Sequence, residues 1–203
     1  MTQEEKAKKK EYTELIKKLG KKFGMKHKQC VLFYTFKDYF IDIIYRFGVK
    51  SNTFMYRAGI KYMDYDDIQW DVLDMSDNKK QPLSLRAVGA FSAGGIQFIE
   101  NTVVSLGNEP EVVVDNILAE IKQKTEAYNE DIDSKILDMI GEKDEDKMEA
   151  VTKLFIVYIH MEKYSEAREL IEKCLENGYE GSYGNKGKMF VELALEYLDK
   201  NNL

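Results

Sequence analysis

The stretch over residues 30–98 constrains this chain most, because hydrophobic residues recur in it at strand spacing, run after run. Residues 30–36, 39–47 and 53–62 are rich in aromatic and β-branched side chains, the types that pack best on a pleated surface. Lys37-Asp38 supplies a two-residue turn between the first two runs, and residues 48–52 supply the next. Three consecutive strands are therefore expected. In the middle run Phe40, Ile41, Ile43, Ile44, Tyr45 and Phe47 are almost continuous, which fits a strand buried on both faces. Residues 83–91 are expected as a fourth strand, with Gly89 as a bulge. Residues 64–75 mix periods, and Asp64 can cap a short helix that puts Ile68, Val72 and Met75 on one face.

Helical patterns flank this stretch. Tyr12, Leu15, Ile16, Leu19 and Phe23 fall at three- and four-residue steps with lysines opposite them, so residues 3–23 read as an amphipathic helix that Gly24 can end. Asn108-Glu109-Pro110 opens another helix, with proline in the first turn and acids beside it. The pattern continues to Ile140. A helix of about 30 residues is long for a globular protein, so a break is expected near residues 129–131. A charged connector (residues 141–147), a helical hairpin over 147–176, a glycine-rich loop (178–187) and a last helix complete the chain. The expected fold class is α+β: an N-terminal helix on an antiparallel sheet of about four strands, then an α-helical C-terminal half. The expected domains are 1–107 and 108–203, the second packed on the first or forming a small helical subdomain.

Of the 203 residues, 44% are hydrophobic and 33% charged, enough for a filled core and a soluble surface. No run approaches the roughly 20 apolar residues that span a bilayer. The charged residues 1–10 lack the apolar core of a signal peptide. A cytoplasmic protein without membrane association is expected. Cys30 and Cys174 lie in dissimilar contexts and read as small buried hydrophobes, while His27 and His160 stand alone, so no zinc pattern or other cofactor is expected. The net charge of −6 is uneven: residues 1–28 hold ten lysines against four glutamates, whereas residues 109–150 hold fourteen carboxylates against five lysines.

Three features invite a chemical reading. The glycine-rich loop follows a helix and matches neither nucleotide fingerprint, so it reads as a connector. Asp64, Asp66, Asp67, Asp71, Asp74 and Asp77 crowd around the single tryptophan, Trp70. Carboxylates at a helix start stabilise it through the dipole, and with Trp70 and Tyr65 they also form the kind of surface on which a partner binds. Arg86, inside an apolar run, must be paired or exposed; it can anchor one of these aspartates or grip a ligand carboxylate. No catalytic residue is assigned, since no triad assembles and Ser84 lacks a nucleophile-elbow setting.

Two resemblances add to this. Residues 147–176 resemble one tetratricopeptide repeat, with Leu154, Tyr158 and Ala167 at that motif's spacing and Tyr164-Ser165-Glu166-Ala167 at the start of its second helix; Phe155 stands where the motif has a small residue. One unit does not make a solenoid, which needs about three. Across residues 12–98, Phe23-Gly24-Met25-Lys26-His27-Lys28 and Phe33-Tyr34 resemble a family of small uncharacterised bacterial α+β proteins, whose relatives include immunity proteins beside toxin genes. The expected function is a non-enzymatic protein-binding module of immunity or toxin-neutralising type. Its acidic surface, Asp66, Asp67, Trp70, Asp71 and Asp74 with Arg86, would meet a basic toxin. The alternatives are a hydrolase or phosphoryl-transfer enzyme using the Asp/Arg group, and nucleic-acid binding through the lysine-rich first helix.

Overall fold

The computed structural model describes residues 2–141 and 144–203. Its chain divides into two compact units, 1–61 with 97–129 and 62–96 with 130–203. Each unit is thus built from two separate stretches, and the boundary expected at residue 107 falls inside the first.

In the first unit, helix α1 (Gln3–Lys22) starts in a reciprocal cap. The Thr2 hydroxyl accepts the Glu5 N–H at 3.2 Å, and the Glu5 carboxylate accepts the Thr2 N–H at 2.9 Å. Its apolar face buries Tyr12, Ile16 and Leu19. The Tyr12 ring lies 4.8 Å from that of Phe47, and its hydroxyl donates to Asn52 at 2.7 Å. Gly24, at φ 73°, reverses the chain after the helix.

Strands β1 (Lys26–Lys28), β2 (Val31–Phe36), β3 (Tyr39–Gly48), β4 (Thr53–Tyr62) and β5 (Ile96–Ser105) form one antiparallel sheet in sequential order. Val31 lies opposite Ile44 and Phe36 opposite Tyr39, across the turn at Lys37. Neighbouring residues Phe40 and Ile41 are both fully buried, so β3 is covered on both faces there, as its nearly continuous apolar run implied. Helix α4 (Pro110–Glu126) buries Val114, Ile117, Leu118 and Ile121. It joins the sheet through a 2.7 Å bond between the hydroxyls of Tyr34 and Thr125.

The second unit holds α2 (Asp64–Val72), α3 (Ser84–Val88), α5 (Ile132–Ile140), α6 (Asp144–Glu149), α7 (Val151–His160), α8 (Tyr164–Glu176) and α9 (Phe190–Asn201). Its core gathers Val72 and Leu73 with Leu154, Phe155, Ile171 and Phe190. Phe155 meets Phe190 and Tyr197 edge-on at 5.8 and 6.3 Å. The glycine-rich loop carries a small hairpin, β6 (Gly184–Asn185) and β7 (Lys188–Met189). Gly181 in that loop sits at φ +82°, with Phe190 Cβ 3.0 Å from where its own Cβ would be, so only glycine fits without displacement.

Two expectations change. Residues 83–91 are not a strand. Leu85 N–H bonds to Pro82 O and Arg86 N–H to Leu83 O, winding α3 instead; so short an apolar run suits either period. The sheet instead adds Lys26–Lys28 at one edge and Ile96–Ser105 at the other, which makes five strands. The expected break between α4 and α5 is present over residues 127–131. Of the charged connector, residues 142–143 lie outside the described residues. Among the described residues, no helix is long and apolar enough to cross a membrane.

Candidate functional site

Helix α2 carries Asp64, Asp66 and Asp67 in its first turn, where the dipole favours them, and Asp71 near its end; Asp74 follows it. They then diverge in role. Asp66 is fully buried, and one of its oxygens accepts the Ala93 N–H at 2.7 Å. Arg86 donates to Asp67 at 2.6 Å, to Asp66 at 3.3 Å and to the carbonyl of Met63 at 2.6 Å. Its guanidinium lies 4.8 Å from the Trp70 ring centroid, where cation–π attraction adds to the ion pairs. Trp70 is 1% exposed, and its indole N–H donates to Phe91 O at 2.7 Å.

These bonds have a common effect. The residues of α3 are only half-buried, and the chain that follows is seated through Phe91, which packs on the core of the second unit, and through buried Ala93. Asp66, Trp70 and Arg86 pin this segment to α2 through polar contacts. Four of the sequence-predicted site residues thus come together as Asp66, Asp67, Trp70 and Arg86. Asp66 and Trp70 lie in the interior rather than on a contact surface. Arg86 takes the anchoring role the sequence left open, on a helix rather than a strand.

Asp71 and Asp74 separate from that group. They line an open recess of about 430 Å³ with Ser76, Lys186, Tyr197 and Lys200. The Asp71 carboxylate accepts from the Ser76 hydroxyl at 2.8 Å and from Lys79 at 2.5 Å, while Asp74 pairs with Lys186. That lysine's hydrogen bond holds the Asp74 carboxyl below its usual range. Lys188 pairs with Glu196 on the same recess. The surface alternates in charge and is not uniformly acidic.

A second buried polar cluster escaped the sequence reading. His160, at the end of α7, places Nδ1 2.7 Å from Asp133 and Nε2 3.4 Å from Asp64. Its ring stacks on Tyr62 at 4.4 Å, and the Tyr65 hydroxyl donates to the other oxygen of Asp133. The hydrogen bond to Asp133 raises the His160 pKa, against the opposing effect of burial, and Asp64 adds to the rise. Burial pushes the Tyr65 hydroxyl far up. With both ring nitrogens facing carboxylates, His160 is a clamp joining α2, α5 and α7. The isolation of His160 in sequence concealed this, since Asp64 and Asp133 are brought to it only by packing. His27 is not alone either; it bonds the Tyr45 hydroxyl at 2.7 Å, and burial lowers its pKa.

The basic face of α1 is partly neutralised within its own unit. Lys17 pairs with Glu14, Lys18 with Glu111 and Lys22 with Asp115, at 2.6–2.8 Å. Cys174 is buried as expected, but Cys30 is exposed, because it sits in the tight turn between β1 and β2. Among the described residues, no cluster of three or more His, Cys, Asp or Glu is placed to hold a metal ion. No family model matches the chain, and neither does any curated protein or solved structure.

Proposed function

We propose that this protein is a non-enzymatic binding module for another protein, with Asp71 and Asp74 at the contact surface. The observation that carries this reading is the split within the aspartate cluster. Asp66 closes on Arg86 in the interior, whereas Asp74 is largely exposed and Asp71 partly exposed, both on an open recess. Their present partners, Lys79 and Lys186, are themselves partly or largely exposed. Such pairs contribute only about 0–1 kcal/mol, so a partner's lysines or arginines exchange for them at little cost. A basic protein fits, of the kind a toxin-neutralising immunity protein holds, and the net charge of −6 favours its approach.

The enzyme reading is weakened by the same closure, since Arg86 and Asp66 already satisfy each other. The nucleic-acid reading is weakened by the α1 pairs with Glu14, Glu111 and Asp115. The test is affinity capture from the native lysate with wild type and with Asp71→Lys/Asp74→Lys, followed by reconstitution with the purified partner. A stoichiometric basic partner that the variant fails to hold is the expected result. A partner held equally by both proteins removes this surface from the proposal.

A further inference from the structure

In the first unit, β2 stops short of the strand it pairs with. The Gln29-Cys30 turn ends it at Val31, opposite Ile44, and the last bond across the pair runs from the Tyr45 N–H to Cys30 O at 3.0 Å. Strand β3 continues to Gly48. The alternation of an antiparallel ladder directs the next odd residue, Phe47, toward the β2 side. Past Cys30, no residue of β2 stands opposite it. The space beside the end of β3 is therefore not filled by β2.

That space is a cleft of about 830 Å³, bounded by α1, the Gln29-Cys30 turn and the β3–β4 connection. Ile44, Phe47, Val49 and Met55 give it an apolar lining. Lys9, Arg46 and Lys50 supply three cations against the single carboxylate of Glu5. Glu5 is already engaged, by Lys50 at 3.6 Å and by the Thr2 N–H at 2.9 Å. Lys9 and Arg46 have no carboxylate within ion-pair distance among the described residues. An apolar pocket of a few hundred cubic ångströms with a few convergent polar groups is the usual form of a small-molecule site.

We propose that this cleft binds a small amphipathic carboxylate, its acyl or aryl chain on the apolar lining and its head at the basic rim to which Lys9, Arg46 and Lys50 contribute. The charge excess is modest and carried on flexible exposed side chains, which suits one singly charged head rather than a polyphosphate. This site belongs to the first unit and is independent of the Asp71/Asp74 surface.

Cys30 makes the proposal measurable, because it lines the cleft and is exposed while Cys174 is buried. Alkylation of the whole chain by iodoacetamide, followed by intact mass, therefore reports on this cleft. The probes are decanoate, below its micelle concentration, and decylammonium, which has the same chain and the opposite charge. Decanoate should slow Cys30 alkylation saturably, and decylammonium should not. Reversing the rim charges in Lys9→Glu/Arg46→Glu should raise the half-protecting decanoate concentration about tenfold, the scale of losing two exposed ion pairs. If that variant misfolds by circular dichroism, Arg46→Gln takes its place with a smaller rise. No protection by decanoate, equal protection by both probes, or an unchanged midpoint in the folded variant overturns the proposal.

Discussion

Replacing Arg86 with methionine keeps much of the side-chain volume and removes the guanidinium. Asp66, 0% exposed, then loses its counter-charge in the interior, and Asp67 loses a 2.6 Å partner at the surface. Breaking a buried pair by deleting one member costs about 3–5 kcal/mol, because the remaining charge stays desolvated. The lost contact with the Trp70 ring contributes about 0.5–2 kcal/mol more. Asp67→Asn touches only the exposed arm, where its side chain is 34% accessible, and should cost about 1 kcal/mol or less. The assay is urea unfolding followed by Trp70 emission; as the single tryptophan, it reports on the second unit alone. A double-mutant cycle with Asp66→Asn should return a large coupling energy, since both changes remove the same contact. If Arg86→Met and Asp67→Asn cost the same small amount, Arg86 does not depend on the buried carboxylate and the anchoring argument is wrong.

The two histidines should titrate on opposite sides of the ordinary value of 6.5, His160 above it and His27 below; imidazole resonances read against pH check this, and a reversed order sinks the clamp. The His160 contribution to stability is complete below pH 6.5 and fades as pH rises through its raised folded value, so His160→Asn should cost most in acid and least in alkali. His27 acts in the opposite sense: its folded pKa is depressed, so the first unit gains stability as pH rises through that region. In the second core, Phe155→Ala should cost about 3–5 kcal/mol, while Met139→Ala, at a position 70% exposed, should stay within about 0.5 kcal/mol; comparable values for the two would mean that the ring contacts of Phe155 do not hold α7 to α9.

Elements whose period is long and regular were legible in the chain itself. The steps of Tyr12, Ile16 and Leu19 specify α1, and Asn108-Glu109-Pro110 specifies the start of α4. The nearly continuous apolar run through β3 specifies burial on both faces. Residues 83–91 were not legible, because Leu83, Leu85, Ala87 and Val88 suit a strand or a turn of helix equally. The deciding interactions, Arg86 with Asp66 and Asp67, come from residues about 20 positions away. Among the candidate residues, sequence gathered the aspartates near Trp70 but could not sort them. Burial of Asp66 and exposure of Asp74 depend on which face of the α2 region meets the core.

The sequence by itself determined the α+β class, the main helices, three of the strands and the charge imbalance, since these follow from local periodicity and composition. Tertiary structure alone decided that Trp70 is an interior anchor, that His160 joins Asp64 and Asp133, and that Cys30 opens onto a cleft. Each of those depends on residues remote in the chain being brought within a few ångströms, and local spacing carries no record of such pairings.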